Sequence, residues 1–390
     1  MANPAVLWRH LLSEKQLIYI QKMRNSPLSF SVNLKIDKSQ NNSSQFDYWI
    51  LFSIIFLCSF GLAMIYSSSN SLEMTIRQGA YFFLGLIGML LLAFSNFRKM
   101  EVFYLHSFWP ALFLLIIVLF FPSENSKTSR WIDLGLFTFQ PSELMRFILP
   151  ISAASFLTKN LKTKMKDMWL VIFVTLICFY LVAIQPDLGT SIIILLAGLL
   201  PVVISGFPWI YIFFGGFLAT LSLPLIWMSL YDYQKQRILT LFNPEADIYG
   251  AGWNIVQSKI AVGSGGLFGK GFLNGSQSQL NFIPESHSDF IFSVIAEEFG
   301  LLGISILLLI YGILIYRLLM VSFYSSNKFA KIVSGTLSII LLAYISINIS
   351  MVIGLLPVVG MPLPFLSQGG TALVVNLLTI GIILSLRKEV

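Results

Sequence analysis

The sequence predicts an all-α polytopic membrane protein: ten transmembrane helices, with one long extracytoplasmic loop between helices seven and eight. Three observations lead there. Of the 390 residues, 56% are hydrophobic and only 11% charged, and the mean hydropathy is +0.80. A soluble domain carries about a quarter charged residues, so this composition excludes a soluble enzyme, a disordered chain and a disulfide scaffold. Ten stretches approach the roughly 20 apolar residues that cross the hydrocarbon core. Lysine and arginine gather in alternate connections, as the positive-inside rule requires. The two cysteines, Cys58 and Cys178, lie within apolar runs and read as small buried hydrophobes.

The ten stretches are Tyr48–Tyr66, Gly79–Ser95, Phe103–Phe121, Pro141–Leu157, Met168–Ile184, Leu188–Ile204, Pro208–Met228, Phe299–Phe323, Ile332–Leu355 and Gly370–Leu386. The fourth is the weakest, because it carries Glu143 and Arg146. Residues 1–47 form a cytoplasmic segment, in which Leu7–Ile20 mixes apolar and basic residues and suits either the inner leaflet surface or a frayed tail. The first apolar run is full length and follows a polar segment, so it reads as an anchor and not as a cleavable signal. Residues 48–390 form the membrane domain. With the N-terminus inside, the inner segments hold 16 Lys and Arg against seven outside. Lys159–Lys166 falls inside and the uncharged Leu356–Gln368 outside. Both termini are then cytoplasmic. The net charge of +7 reports cytoplasmic loops beside anionic lipid, and nucleic acid is not needed to explain it. The long outer loop, Ser229–Glu298, contains apolar stretches (Ile255–Val262, Phe290–Ala296) that should pack back on the bundle.

Charges inside or capping a span are the first candidates for function. Gln140-Pro-Ser-Glu143 opens span four and Gln185-Pro-Asp187 precedes span six. An acid there favours the positive end of the helix dipole, which suffices for Asp187. Glu143 and Arg146 lie three apart, on one helix face, as a structural ion pair or as the wall of a polar substrate cavity. In the outer loop Glu285, His287 and Asp289 fall within five residues between apolar side chains. A carboxylate so flanked is poised as a general base; a solvated loop with idle acids is the alternative. A metal site from these three lacks a second ligand cluster. The glycines of Gly263–Gly266 and Gly269–Gly271 suit an anion-binding nest around Lys270. His10 and His106 receive no role.

At this point the chain resembles the SEDS polymerases, and their RodA branch more than their FtsW branch. The resemblance rests on motifs that run through most of the chain after Tyr48. They are Arg130-Trp-Ile-Asp-Leu-Gly135 into Phe139-Gln-Pro-Ser-Glu143, Gln185-Pro-Asp-Leu-Gly-Thr190, Gln236-Arg237, and Asn243-Pro-Glu245. Gly252-Trp-Asn-Ile-Val-Gln-Ser-Lys259, Gly275-Ser-Gln-Ser-Gln279, Phe282-Ile-Pro-Glu285, His287-Ser-Asp-Phe-Ile-Phe292 and Ala296-Glu-Glu298 follow. Pro362-Leu-Pro-Phe-Leu-Ser-Gln-Gly-Gly370 closes the series.

The resemblance implies a peptidoglycan glycosyltransferase of the bacterial cytoplasmic membrane. It would polymerise lipid II, the undecaprenyl-pyrophosphate disaccharide pentapeptide, on the outer face for cell-wall elongation and cell shape. The family's essential acid falls on Asp289, and its intramembrane Glu-x-x-Lys pair on Glu143 and Arg146. Here arginine replaces lysine, which changes donor geometry, and Gln368 replaces a tyrosine beside Ser367. An α-linked pyrophosphate donor and a β-1,4 product require inversion, hence one base on the acceptor hydroxyl. The leaving pyrophosphate needs positive charge from Arg130, Arg237, Lys259, Lys270 or a divalent cation such as Mg or Mn. Glu285, His287 and Ser367 would contact substrate. A class B penicillin-binding protein is the implied partner, beside membrane lipid. A lipid II flippase and a non-catalytic scaffold are the alternatives; neither needs a carboxylate in the outer loop.

Overall fold

The computed structural model describes residues 47–95, 101–120, 130–133, 138–159, 164–247, 250–280 and 282–387. Residues 1–46, with Leu7–Ile20 and His10, lie outside the described residues, as do Arg98, Lys99, Lys127, Lys162 and Lys388. The helices are α1 (Tyr48–Ser69), α2 (Leu72–Phe94), α3 (Glu101–Phe120), α4 (Pro141–Thr158), α5 (Met165–Ile184), α6 (Leu188–Ile204), α7 (Trp209–Leu221), α8 (Leu223–Ser229), α9 (Asp232–Phe242), α10 (Ala251–Ser264), α11 (Ser276–Gln279), α12 (Ile291–Tyr324), α13 (Lys328–Val352) and α14 (Gly370–Leu386). Between α3 and α4, β1 (Ile132–Asp133) pairs antiparallel with β2 (Thr138–Phe139).

All ten expected stretches fall on helices. Among the described residues α1, α2, α5, α12 and α13 are long and apolar enough to cross a membrane, and Leu105–Phe120, α6, α7 and α14 are shorter apolar helices. Three boundaries differ from those expected. The second helix starts at Leu72, seven residues early, because Ser71 caps it by accepting from the Met74 N–H and Glu73 sits in the first turn. The seventh stretch breaks at Ser222 into α7 and α8, just before Pro224, which cannot donate a helical hydrogen bond. The eighth begins at Ile291, so the long connection before it ends at Phe290, and Ile291–Ala296 packs as helix rather than as loop.

α4 is the helix whose charge load made it the weakest span, and its position explains how it carries that load. It lies between α3, α6 and α13, and nearly every residue from Pro141 to Leu157 is buried in protein. Intramembrane charge is tolerated where it faces the bundle interior. α7 is the opposite case: none of its residues is buried, and Phe213 and Phe217 point outward. α2 and α14 form the most extensive helix pair. Small residues allow it, as lipid-embedded helices need close approach for want of a hydrophobic drive. A Cβ on Gly85 would meet Leu377 Cδ1 at 2.5 Å, and one on Gly381 would meet the Met89 carbonyl oxygen at 2.5 Å.

The long connection folds into α9, α10 and α11, and α10, with Ile255 and Ala261 buried, docks on α12. The glycines expected to form an anion nest do a different job. The N–H groups of Gly269, Lys270 and Gly271 donate to the carbonyls of Gly265, Glu297 and Glu298 at 2.8, 2.9 and 2.9 Å, which leaves none of these three for an anion. α12 kinks at Gly300, with φ 63 and ψ −162. There Gly269, at φ 78, and Gly300 touch backbone to backbone; a Cβ on Gly269 would strike the Glu298 carbonyl. The glycine run is therefore a clasp on the kink of α12.

Candidate active site

Six parts of the fold wall one polar cavity of ≈ 460 Å³. The hairpin brings Arg130 and Trp131, and the first turns of α4 and α6 bring Glu143 and Asp187. The turn before α12 brings Glu285 and Asp289, α13 brings Tyr344, and the Gly360–Ala372 segment closes the wall.

Asp289 is fixed through its backbone. Asn348 of α13 donates from Nδ2 to the Asp289 carbonyl at 2.9 Å and to the Met361 carbonyl at 2.6 Å. Ser367 Oγ donates to the Ser288 carbonyl at 2.6 Å and accepts from the Leu363 N–H at 2.7 Å. The Gln368 N–H reaches the His287 carbonyl at 3.0 Å. The two turns, 285–290 and 361–369, are thus stitched together. The Asp289 side chain lines the cavity and is partly exposed there. Protein packed around the carboxyl pushes its pKa up from 3.8 to about 7; Glu285 and Asp187 add to the rise, while Arg237 and Arg130 oppose it. A base tuned near neutral pH suits proton abstraction at that pH.

Asp187 both caps α6 and lines the cavity. Its Oδ1 accepts from the Thr190 N–H at 3.1 Å, and its Oδ2 accepts from Thr190 Oγ1 at 2.9 Å and Gln140 Nε2 at 3.1 Å. Arg130 stands 3.9 Å from the same carboxylate and donates to the carbonyls of Gln185 (2.9 Å) and Pro186. One guanidinium thereby ties the end of α5 to the hairpin and holds positive charge on the cavity wall.

Glu143 and Arg146 form the buried pair that their spacing suggests. Arg146 Nη2 lies 2.5 Å from Glu143 Oε2, and Arg146 Nε donates to the same oxygen at 2.6 Å. Tyr344 Oη donates to Glu143 Oε1 at 3.1 Å, and Arg146 Nη2 donates to Asn376 Oδ1 at 3.0 Å. The guanidinium carbon sits 4.4 Å from the Tyr344 ring centroid. Three helices are tied together here, and the hydrogen bonds repay part of the desolvation cost of the charges. Glu143 faces the cavity, while Arg146 braces it from behind.

Five further candidates from the sequence do not line this cavity. Lys270 is held by Glu297, 2.6 Å from its Oε1 carboxylate oxygen, with Ser276 Oγ at 2.8 Å; it neutralises a fully buried acid. Lys259 is exposed, with its Cε against Gly354. His287 and Ser367 act here through the loop-stitching bonds above. Arg237 is not a lining residue but lies near enough to act on Asp289. Among the described residues no group of three or more His, Cys, Asp and Glu could hold a metal ion. No step is routed through a divalent cation.

Tyr344, Asn348, Asn376 and Gln140 were not singled out in the sequence as site residues. Asn348 and Asn376 did leave a signal: buried amides in otherwise apolar helices, to which the rule for charged intramembrane residues extends.

The family model described as "Cell cycle protein" (FTSW_RODA_SPOVE) matches residues 43–390. The chain is 40% identical over 346 residues to the peptidoglycan glycosyltransferase MrdB of Escherichia coli K12, covering 88% of this chain and 94% of that protein. It is 30% identical over 370 residues to the probable peptidoglycan glycosyltransferase FtsW of Trichlorobacter lovleyi, covering 90% and 96%. A solved structure described as the structural coordination of polymerization and crosslinking by a peptidoglycan synthase complex superposes with TM-score 0.77 at 27% identity, over 88% of this chain and 98% of that one. The crystal structure of Thermus thermophilus RodA superposes with TM-score 0.67 at 25% identity, over 88% and 97%. With its apolar helices in the same arrangement, the chain belongs to the FtsW/RodA/SpoVE family of multi-pass membrane proteins.

Proposed function

We propose that this protein is a peptidoglycan glycosyltransferase that polymerises lipid II into β-1,4 glycan strands at the outer face of the cytoplasmic membrane. The observation that carries the reading is Asp289, a carboxyl poised near neutral pH in a polar cavity with arginines about it. The ionised carboxylate takes the proton of the acceptor sugar hydroxyl. The freed oxygen attacks the anomeric carbon of the donor from the face opposite the pyrophosphate, whose bond to that carbon breaks. Inversion follows from this single displacement. The pyrophosphate leaves as an anion and needs no proton; Arg130 and Arg237 supply the positive charge. Glu143, braced by Arg146 and Tyr344, shapes the floor. Purified protein given lipid II should build glycan chains that resolve on a gel, and failure by folded protein to do so would overturn the reading in favour of a flippase or scaffold.

The raised pKa of the base gives a signed prediction. The base works only when ionised, so kcat/KM should climb as pH rises through about 7 and level off above it. Glu285 raises the Asp289 value. Glu285→Gln should therefore move the acid limb of the profile to lower pH, with a smaller loss in the plateau than any change at Asp289. An unmoved limb would detach Glu285 from the base.

With ten spans and both termini cytoplasmic, the cavity opens outside. Cysteine introduced at Phe268, in the outer connection, should react with a membrane-impermeant maleimide in intact cells. One at Lys159, between α4 and α5, should react only after permeabilisation. The opposite pattern would invert the topology. A class B penicillin-binding protein is the partner that suits this product, because polymerised strands need crosslinking and the chain has no second catalytic centre among its described residues. The likeness to a synthase complex supports the pairing, and co-purification in mild detergent tests it.

A further inference from the structure

The other end of α4 carries a second cavity. Phe156 lies 13 residues beyond Glu143, which is about 20 Å along a helix. The cavity measures ≈ 230 Å³ and is walled by Phe108 and Trp109 of α3, Leu149, Ala153 and Phe156 of α4, and Val171 of α5. Pro110 and Pro150 stand inside α3 and α4 beside it. Each removes a helical hydrogen bond and crowds the preceding turn. Trp109 and Leu170, on its rim, are exposed, so the groove opens on the surface that faces lipid.

Its polar end is basic. Lys159 follows Phe156 by three residues, and Lys166 precedes Leu170 by four, so both lie within about one helical turn of the groove. Lys159, Lys164 and Lys166 are exposed, and no ion pair engages them among the described residues. Asp167 is the acid nearest in sequence. Trp169 packs edge-on against Phe207 and Tyr211 with ring centroids 5.5 and 5.8 Å apart. Such aromatic groups mark the level where hydrocarbon meets headgroups.

We propose that this groove holds one acyl chain of an anionic phospholipid whose phosphate sits among Lys159, Lys164 and Lys166. The apolar lining suits a hydrocarbon chain and gives nothing to a free anion, while the lysines at its end suit an anionic headgroup. The substrate cavity is at the opposite end of α4, so this site is separate from it and does not rest on the proposed reaction. A lysine near a phosphate contributes about 1 kcal/mol, or about fivefold in affinity each.

The test uses the purified full-length chain with equal amounts of phosphatidylglycerol and phosphatidylethanolamine, counting retained lipids by native mass spectrometry. The expected result is at least fivefold preference for phosphatidylglycerol. Replacing all three lysines by Gln should abolish the preference. Ala153→Phe, or the smaller Ala153→Met should Phe prevent folding, fills the groove with the lysines intact and should also abolish it. Equal retention of both lipids by the native chain would overturn the proposal. So would a preference that survives groove filling, which would reduce the lysines to general surface charge, or competition by glycerol 3-phosphate as strong as by the whole lipid.

Discussion

Asp289→Asn should lower the rate of glycan synthesis by roughly 10²–10⁴-fold, the typical contribution of a general base. Asparagine keeps the shape and cannot accept the proton. The backbone clamp from Asn348 and the stitching by Ser367 act on main-chain atoms, so the fold should survive. The folded state holds Asp289 at about 7 against 3.8 in the ordinary carboxyl, so its contribution to stability is fully present below pH about 4 and lost as pH rises to about 7. Asparagine does not ionise and escapes that loss. The variant should therefore melt no lower than the native protein at pH 8 while remaining inactive. Near-normal chain growth by the folded variant would remove Asp289 from the chemistry.

Arg146→Ala should be the most destabilising single change at the site. It leaves Glu143, 3% exposed, without its guanidinium, and strands Asn376 Oδ1. Breaking a buried pair from one side costs about 3–5 kcal/mol, more than a hundredfold in the folded ratio. The expected readout is a large fall in melting temperature in detergent and in membrane abundance. The paired change Glu143→Leu with Arg146→Met removes both charges and should recover most of that stability, since apolar replacement of a buried pair is often neutral. Activity should stay lost, because Glu143 lines the cavity. Recovery of activity with stability would make the pair structural alone. Arg146→Lys, the residue usual in the family, keeps the charge but gives up the fork that reaches Glu143 and Asn376 together, so it should fall between these extremes.

The ten apolar stretches, the positions of Glu143, Arg146 and Asp289, and the family itself were legible in the chain. A bilayer admits few ways of satisfying a backbone, so hydropathy alone forces helices, and a charge in an apolar run stands out against its neighbours. Helix ends were less legible. Ser71 as a cap and Gly300 as a kink act through single local contacts that average hydropathy does not register.

Which charges meet was decided only by tertiary structure. Lys270 and Arg130 read alike in the sequence, as outer bases free for a pyrophosphate. Packing sends Lys270 to Glu297, an acid with no exposure at all, whose desolvation would otherwise be too costly. It sends Arg130 to the cavity wall. Tyr344, Asn348 and Asn376 lie 201, 59 and 230 residues from the groups they hold, and no local pattern encodes such separations. The value of about 7 at Asp289 is likewise a property of the assembled walls: its flanking phenylalanines promise burial, but the opposing pulls of Glu285, Asp187, Arg237 and Arg130 exist only once distant segments close around one carboxyl.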